Sequence, residues 1–353
     1  MGRTRINKKA QFEHFNWIFV LVAGTIILIF FIMIVQKQKS ISQIKLAASI
    51  RTDISTILTG AGITPDTTNV LTMPKIPISF TCDEEDYSDF EIAKTGVNKQ
   101  TPFDVIFAPD LVEGPTLVTW TKEFKMPFKV TNFLYLTDAQ IRYIFVFTPG
   151  NSKAKQIFAN LPDEINKESI QPGMNVVDKN NYKVKFIFFE GYTDSAAFPF
   201  KTMADNDVTA IEILTDTIKF YKKTSGGYFQ SEGEVLYPKD EEDVFLYGAI
   251  FSNDKTFFEC NLKKALKRLS VVARVFAERE EELAQNTQFM IGNCLPASYY
   301  KGSSGKYYTS ELADFTETCL PNLNCNFNQI NSIKSSLQTN NDILLGSTCA
   351  LIY

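Results

Sequence analysis

Clustered carboxylates are the residues of this sequence whose types and spacing most readily suggest chemistry. Two runs read Asp-Glu-Glu-Asp, at Asp83–Asp86 and Asp240–Asp243, and Asp205 and Asp207 stand two apart before a predicted strand. Carboxylate oxygens are the ligands that Ca²⁺ prefers, but neither run has the spacing of a calcium-binding loop. Four consecutive residues cannot all face one ion, so we interpret both runs as solvated acidic turns. A calcium ion at Asp205 and Asp207 is the weaker alternative, and we expect no metal or cofactor.

Histidine chemistry is almost absent from the sequence. The only histidine is His14, which lies next to the first apolar stretch. Ser–His–Asp catalysis, Cys–His catalysis and histidine metal sites are therefore excluded from the rest of the chain. An enzyme built on this sequence would have to use carboxylates, as a glycosidase-type hydrolase does.

Two loops resemble anion-binding loops only in part. The stretch FVFTPGNSKAKQ places a loop between a predicted strand and helix, where free N–H groups can hold an anion. It has one glycine and no P-loop spacing, so we interpret Asn151 or Ser152 as an ordinary helix N-cap. The stretch KGSSGKYY from Lys301 is interpreted as a flexible turn.

Six cysteines indicate disulfide bonds. Their number is even, no Cys-x-x-Cys pair occurs, and all follow the apolar N-terminal stretch at Cys82, Cys260, Cys294, Cys319, Cys325 and Cys349. This pattern favours disulfides in an oxidising compartment over a zinc site. Six cysteines allow fifteen pairings, and the sequence does not choose among them. The alternative is six buried thiols in a cytoplasmic domain.

The first predicted element of the chain is a membrane-spanning helix. Trp17 to Val35 is nineteen residues without a charge, with Thr25 as its one mildly polar member. At 1.5 Å per residue this helix is about 28 Å long, close to the ~30 Å of a bilayer core. The apolar run is too long for a cleaved signal, and no cleavage site follows it. Basic residues flank both ends, so the cysteines decide the orientation: we expect a cytoplasmic N-terminus and an outer C-terminal domain.

The span is predicted to continue as an amphipathic helix. No proline occurs before Pro65, and polar residues from Ser42 to Thr56 share one side of a helical wheel. The other side carries apolar residues, which are Ile44, Ala47, Ile50, Ile54, Ile57 and Leu58. We predict one helix from Phe15 to about Thr59, ended by Gly60 and Gly62. Its apolar face packs either on its own domain or on a neighbouring copy.

This N-terminal order resembles that of archaeal type IV pilins. A basic tail, a small residue, a long apolar helix and an amphipathic continuation follow one another, and KKA before QFE is similar to a prepilin-peptidase site. The resemblance covers residues 1–59, and it implies processing between Ala10 and Gln11 and assembly of copies through the helix. Glu13, His14 and Asn16 interrupt the apolar stretch, which departs from that pattern. The plain alternative is a signal anchor that keeps its tail.

Charge follows the same division of the chain. Residues 1–51 carry eight Lys or Arg and one acid, a net charge of +7, whereas the rest carries 28 Lys or Arg and 39 acids, a net charge of −11. An acidic outer domain argues against nucleic acid as a partner. We expect the bilayer as one partner, with copies of the chain or another envelope protein as others.

The outer domain is predicted to be α/β (or α+β). Strands are expected in IPISFTC, FDVIFAP, FKVTNFLYL, IRYIFVF, YKVKFIFFEG, VTAIEIL, TIKFYKK and EDVFLYGAIF, and helices in KAKQIFANL and CNLKKALKRLSVVARVFAEREEELAQ. The last helix places lysines first and glutamates last, against its dipole, and we interpret this as a solvated face. The predicted organisation is a tail (1–15), a span (16–36), a juxtamembrane helix (37–59), an α/β domain (60–285) and a loop-rich, Cys-rich C-terminal part (286–353).

The lack of histidine-based catalytic and metal sites favours a function without catalysis. We expect a single-pass surface or envelope protein of the cell membrane, whose outer domain binds or assembles without catalysis. The pilin-like form of this expectation makes the long helix an assembly element. The alternative is an extracytoplasmic carboxylate-dependent hydrolase, which requires two carboxyl groups roughly 5–10 Å apart in a cleft.

Overall fold

A computed structural model describes residues 8–61, 64–73, 76–82, 88–92, 97–101, 104–174, 176, 182–189, 203–285, 301, 305–346 and 349–353. Its helices are α1 (Lys8–Ala61), α2 (Ser152–Asn160), α3 (Val244–Phe251), α4 (Lys255–Gln285), α5 (Tyr308–Cys319) and α6 (Phe327–Gly346). Its strands are β1 (Thr68–Thr72), β2 (Ile78–Cys82), β3 (Ser88–Ile92), β4 (Val97–Thr101), β5 (Val105–Phe107), β6 (Leu111–Val112), β7 (Thr116–Lys125), β8 (Lys129–Asp138), β9 (Ile141–Val146), β10 (Lys167–Ile170), β11 (Lys183–Phe188), β12 (Val208–Ile213), β13 (Thr217–Lys223) and β14 (Phe229–Leu236). The mixed α/β class predicted from the sequence is confirmed.

The strands form three sheets. The largest has the order β10-β9-β11-β12-β13-β14, with its first four strands parallel and its last two antiparallel. A second sheet has the order β1-β7-β8-β5, and a third, antiparallel sheet has the order β4-β3-β2-β6. Every residue of the parallel strands β9, β11 and β12 is buried, including their charged residues Arg142, Lys183, Lys185 and Glu212, because both faces of the sheet are covered.

The long N-terminal helix is continuous, as predicted, and extends beyond the predicted ends to Lys8 and Ala61. No proline interrupts it. The hydroxyl of Thr25 donates to the carbonyl of Leu21 at 2.8 Å, so this hydroxyl is satisfied inside the helix. The indole N–H of Trp17 is a further polar group of the run, and it lies at the N-terminal end, where tryptophan favours the membrane interface.

Helix α3 overturns the strand predicted at EDVFLYGAIF. All eight of its residues are buried, so its sequence has no polar position that would reveal a helical period. Gly248 lies against the ring of Phe107, where a Cβ atom would be 2.8 Å from Cζ. The hydroxyl of Tyr135 donates to the carbonyl of Val244 at 2.8 Å. A short run that is apolar all round fits a buried helix as well as a buried strand, and here close packing selects the helix.

The C-terminal part is more helical than predicted. Residues 308–319 and 327–346 form α5 and α6, so the expectation of a loop-rich cap is wrong for them. Helix α6 buries Phe327, Ile330, Ile333, Leu337 and Leu344. These positions are separated mostly by three, four and seven residues, which places them on one helical face. Many Asn and Ser residues between them give the sequence the composition of a loop.

Candidate functional site

The apolar half of α1 is the most exposed hydrophobic surface among the described residues. Its large side chains from Trp17 to Val35 have between 38% and 76% of their surface exposed. The most apolar window of eighteen residues has a mean hydropathy of 3.2, and none of it is buried within the protein. Soluble monomers rarely expose apolar patches of this size. Among the described helices, α1 alone is long and apolar enough to cross a membrane.

The C-terminal half of α1 docks on the protein's own α/β domain. Ala47, Ile50 and Ile54 are 0%, 5% and 2% exposed. They pack into a second core, which we call the docking cluster, together with Met73, Ile78, Phe80, Phe90, Ile92, Ile106, Ala108, Val112, Leu117, Leu134, Leu136 and Phe257. The ammonium of Lys99 on β4 donates to the hydroxyl of Ser55 at 2.5 Å.

The predicted docking face is only partly right. Ile50 and Ile54 are buried as expected, and Ile57 is partly buried. Ile44 is 46% exposed, so its predicted packing is wrong. It precedes Ala47, the first buried residue of α1 among those whose side chains are described.

The cysteines form disulfides that tie these elements together. Cys82 on β2 pairs with Cys260 on α4, and Cys319 pairs with Cys325 across the α5–α6 loop. Cys349 is also disulfide-bonded, whereas Cys294 lies outside the described residues. The Cys82–Cys260 bond joins the sheet that carries the docked helix to the central core.

One charged pocket of the described structure brings several carboxylates together, as the hydrolase alternative requires. It has a volume of about 150 Å³ and lies between the β7–β8 hairpin, the segment before α3, and α6. Its charged lining residues are Asp66, Glu123, Lys125, Asp240, Glu241, Glu242 and Lys334. Small-molecule sites usually enclose about 300–1,000 Å³, so this pocket is small for a glycan substrate.

The outer carboxylates of the pocket are ion-paired. Glu242 lies 2.7 Å from the ammonium of Lys122, and Glu241 lies 2.8 Å from that of Lys334. Glu123 contacts Lys125 at 2.5 Å. Burial alone would raise the pKa of Glu123, but hydrogen bonds and charge attraction from its lysine neighbours lower the pKa overall. These ion pairs leave the carboxylates as structural anchors on the pocket rim.

Asp240 is a partly buried carboxylate of the pocket, and it caps a helix. Burial raises its pKa to about 6, although backbone N–H groups oppose the shift. Its Oδ1 accepts hydrogen bonds from the N–H groups of Glu242 and Val244, both at 3.0 Å. Asp240 has a raised pKa and Glu123 a lowered pKa, and two such carboxyl groups in one pocket are the pattern of an acid–base pair. Here, however, the carboxylate of Asp240 caps the N-terminus of α3. The N-cap residue itself, Asp243, has a left-handed backbone and makes no side-chain cap hydrogen bond.

The prediction of a solvated turn at Asp240–Asp243 is therefore wrong for Asp243 and only partly right for Asp240, which is half-buried and caps α3. Asp243 is buried, and both of its carboxylate oxygens accept from Lys153 at 2.6 Å. Glu241 and Glu242 are exposed as expected. The other run, Asp83–Asp86, lies outside the described residues.

The remaining predicted polar sites are engaged locally. Asn151 is the N-cap of α2 and accepts from the N–H of Ala154 at 2.9 Å, as predicted. Asp205 pairs with Lys223 at 3.1 Å, and Asp207 lies 3.6 Å from the ammonium of Lys183. Separate strands thus supply a lysine to each of the two aspartates. Within the described part of the chain, no group of three or more His, Cys, Asp or Glu is placed to hold a metal ion.

Among the described residues the most perturbed cation is a buried lysine, which no sequence pattern indicated. Lys185 on β11 is 5% exposed, and burial lowers its pKa to about 7 against the attraction of Asp254 and Glu232. Its ammonium donates to the carbonyl of Ala249 at 2.8 Å and to that of Ser252, at the C-terminus of α3. A lysine of this pKa could act as a nucleophile. The adjoining cavity is only about 20 Å³, which admits about one water molecule, so Lys185 acts as a helix C-cap.

Helix α4 carries a buried carboxylate that contradicts part of the predicted solvated face. Glu280 is fully buried, whereas Glu278, Glu281 and Glu282 are exposed as expected. Its Oε2 accepts from the N–H of Thr309 at 3.2 Å and from the hydroxyl of the same residue. Glu280 thereby caps the first turn of α5, and burial raises its pKa to about 7. One of the glutamates at the C-terminal end of α4 therefore stabilises the start of α5 instead of facing solvent.

Comparisons with protein-family models, curated proteins and solved structures found no match for this chain. Ala10 and Gln11 lie near the start of α1, and processing between them stays a prediction.

Proposed function

We propose that this chain is a single-pass, membrane-anchored surface protein whose outer domain binds or assembles without catalysis. The observation that carries the proposal is the division of α1 into an exposed apolar half and a docked half. Exposed side chains over Trp17–Val35 suit lipid, and the buried Ala47, Ile50 and Ile54 join the helix to the domain. The N-terminus is cytoplasmic, and the domain lies in an oxidising compartment where its disulfides persist.

Impermeant thiol labelling in intact cells tests the topology. Thr4→Cys reports the tail, and Ser225→Cys reports an exposed turn of the domain. We expect a membrane-impermeant maleimide to modify the Ser225→Cys variant in intact cells and the Thr4→Cys variant only after lysis. Labelling of the tail alone in intact cells would reverse the orientation. Extraction of the protein by alkaline carbonate would refute membrane anchoring itself.

The pilin-like form of the proposal makes α1 an assembly element. It is supported by the resemblance over residues 1–59 and by the unoccupied apolar half of the helix. Mass spectrometry of the N-terminus, in cells with an active prepilin peptidase, distinguishes the two forms. A mature chain that begins at Gln11 favours assembly, whereas an intact tail leaves a signal anchor.

A carboxylate-dependent hydrolase has weaker support. The charged pocket offers Asp240 with a pKa of about 6, as a general acid would need. Its carboxylate is committed to capping α3, and its neighbours are ion-paired. The test is a glycosidase assay of the purified unmodified chain and of its Asp240→Asn variant. Activity in the unmodified chain that the variant lacks would favour the hydrolase. We expect no activity in either protein.

A further inference from the structure

A second cavity lies beside the charged pocket, since Lys239 lines the one and Asp240 the other. It is an open groove of about 330 Å³ between the β12–β13 turn, the segment after β14, and the loop that joins α5 to α6. We call it the asparagine groove, because Asn324, Asn326, Asn328 and Asn331 all line it. Its volume falls within the range of small-molecule sites.

Three of these amides are free to receive a ligand. Asn326 has a local role, since its Oδ1 accepts from the N–H of Asn328 at the start of α6. The side-chain amides of Asn324, Asn328 and Asn331 make no hydrogen bond to any part of the chain that the structure describes. Asn324 and Asn328 are exposed, and Asn331 is partly exposed. Each amide offers both donors and an acceptor.

The groove has no net charge to attract an ion. Its lysine, Lys239, lies 2.5 Å from the carboxylate of Asp216, which also lines the groove. The floor is apolar and comes from Tyr237 and Phe327, which are 7% and 6% exposed. A neutral ligand that presents many hydroxyl groups and some C–H surface matches this lining.

The α5–α6 loop, which carries Asn324, and the first turns of α6, which carry Asn328 and Asn331, are held in place before any ligand arrives. The Cys319–Cys325 disulfide closes the loop, and Leu323 is buried in the central core. The N–H of Leu323 donates to the carbonyl of Cys319 at 2.9 Å. A preorganised loop loses little conformational entropy on binding, so even a small polar ligand can be held.

An extended peptide is the competing neutral ligand, and the neighbouring strand disfavours it. Addition of a peptide to a sheet needs a regular strand edge. β14 borders the groove at Leu236, but it contains Gly233 at a φ of 112°, and its pairing with β13 shifts register between Phe220 and Tyr221. This irregularity interrupts the ladder that a peptide would extend.

We infer that the asparagine groove binds a neutral saccharide. This goes beyond the proposed function, because the groove's chemistry does not depend on the membrane anchor. It would give the outer domain a glycan ligand, held by amide hydrogen bonds over the apolar floor of Tyr237 and Phe327.

Saturation-transfer difference NMR tests the inference on the full-length chain in a detergent without a sugar headgroup. The probes are maltotriose, mannotriose and triacetylchitotriose, with the peptide acetyl-Ala-Ser-Ala-Ser-amide as the competing class. We expect at least one saccharide to give a saturable signal with a Kd on the order of 1 mM. The double variant Asn324→Ala/Asn331→Ala should lower this signal at least about fivefold, consistent with a loss of ~1 kcal/mol.

Asn322→Ala is the matched control, since Asn322 is an exposed residue of the same loop that does not line the groove. It should bind like the unmodified chain, and all three proteins should melt alike. The inference is overturned if no saccharide gives a signal, if the double variant binds as well as the control, or if only the peptide binds. Because the assay uses the detergent-solubilised chain, its result is independent of the topology experiment.

Discussion

Removal of the Ile54 side chain beyond Cβ should show whether α1 is a structural part of the α/β domain. Ile54 is 2% exposed and packs in the docking cluster. Truncation of a buried isoleucine to alanine costs about 2–5 kcal/mol, because apolar contact is lost and a cavity remains. Ile54→Ala should therefore lower the free energy of unfolding by about 2–4 kcal/mol, since the greater helix propensity of alanine offsets a few tenths of it.

Ile44→Ala is the matched control, because it makes the same chemical change in the same helix at a residue that is 46% exposed. Surface substitutions usually change stability by less than about 0.5 kcal/mol. For a domain of this size, about 3 kcal/mol corresponds to a fall in Tm of roughly 6–10 °C. The assay is thermal unfolding in detergent micelles, followed by near-UV circular dichroism from buried aromatic residues such as Trp120. Equal Tm values for the two variants would refute docking on the chain's own domain and favour packing on neighbouring copies.

Three further predictions concern the crosslinks and the buried ionisable groups. Cys82→Ala/Cys260→Ala should destabilise the domain by about 5 kcal/mol and Cys319→Ala/Cys325→Ala by only about 2 kcal/mol, because their sequence separations are 178 and 6, and chemical denaturation should rank them in that order. Burial raises the pKa of Glu280 from its ordinary 4.5 to about 7, so the folded state binds the extra proton and stability should fall as pH rises from 4.5 to 7, by up to ~1.4 kcal/mol per unit. Glu280→Gln should remove this slope in pH-dependent denaturation, and an unchanged slope would contradict the assignment. Burial lowers the pKa of Lys185 from 10.5 to about 7, so the unfolded state binds the extra proton and stability should instead rise between pH 7 and 10.5, a rise that Lys185→Met should abolish.

The sequence predicted features that depend on local pattern. The apolar run from Trp17 to Val35 was recognisable by length, and Ile50 and Ile54 by helical period. Ile44 lies on the same predicted helical face as Ile50 and Ile54 but outside their contact with the docking cluster. Periodicity identifies a helical face, but it does not show where along the helix a neighbouring surface begins. The register of α1 against the docking cluster is a tertiary property.

The buried polar groups were not predictable from pattern. In β11, lysines at 183 and 185 alternate with valine, as on a half-exposed strand, and the carbonyls that Lys185 satisfies lie about sixty residues later in α3. Glu280 sits among exposed glutamates, and only the placement of α5 buries it. Strand β7 was missed because Lys122, Glu123 and Lys125 give its second half the composition of a surface loop. For Lys185 and Glu280 the deciding partner lies in a distant part of the sequence.

The docked helix and the asparagine groove are linked through rigid elements. Ile54 packs on the sheet that contains Cys82, and Cys82 is bonded to Cys260 of α4. Helix α4 packs along α5, whose last residue, Cys319, begins the loop that carries Asn324 and leads into α6. A ligand held in the groove would therefore be joined to α1 through packed helices and disulfides. Force applied at the groove would reach α1 through the Cys82–Cys260 crosslink as well as through noncovalent packing, so the crosslink and the packing of α4 on α5 together fix the position of the groove relative to the docked helix.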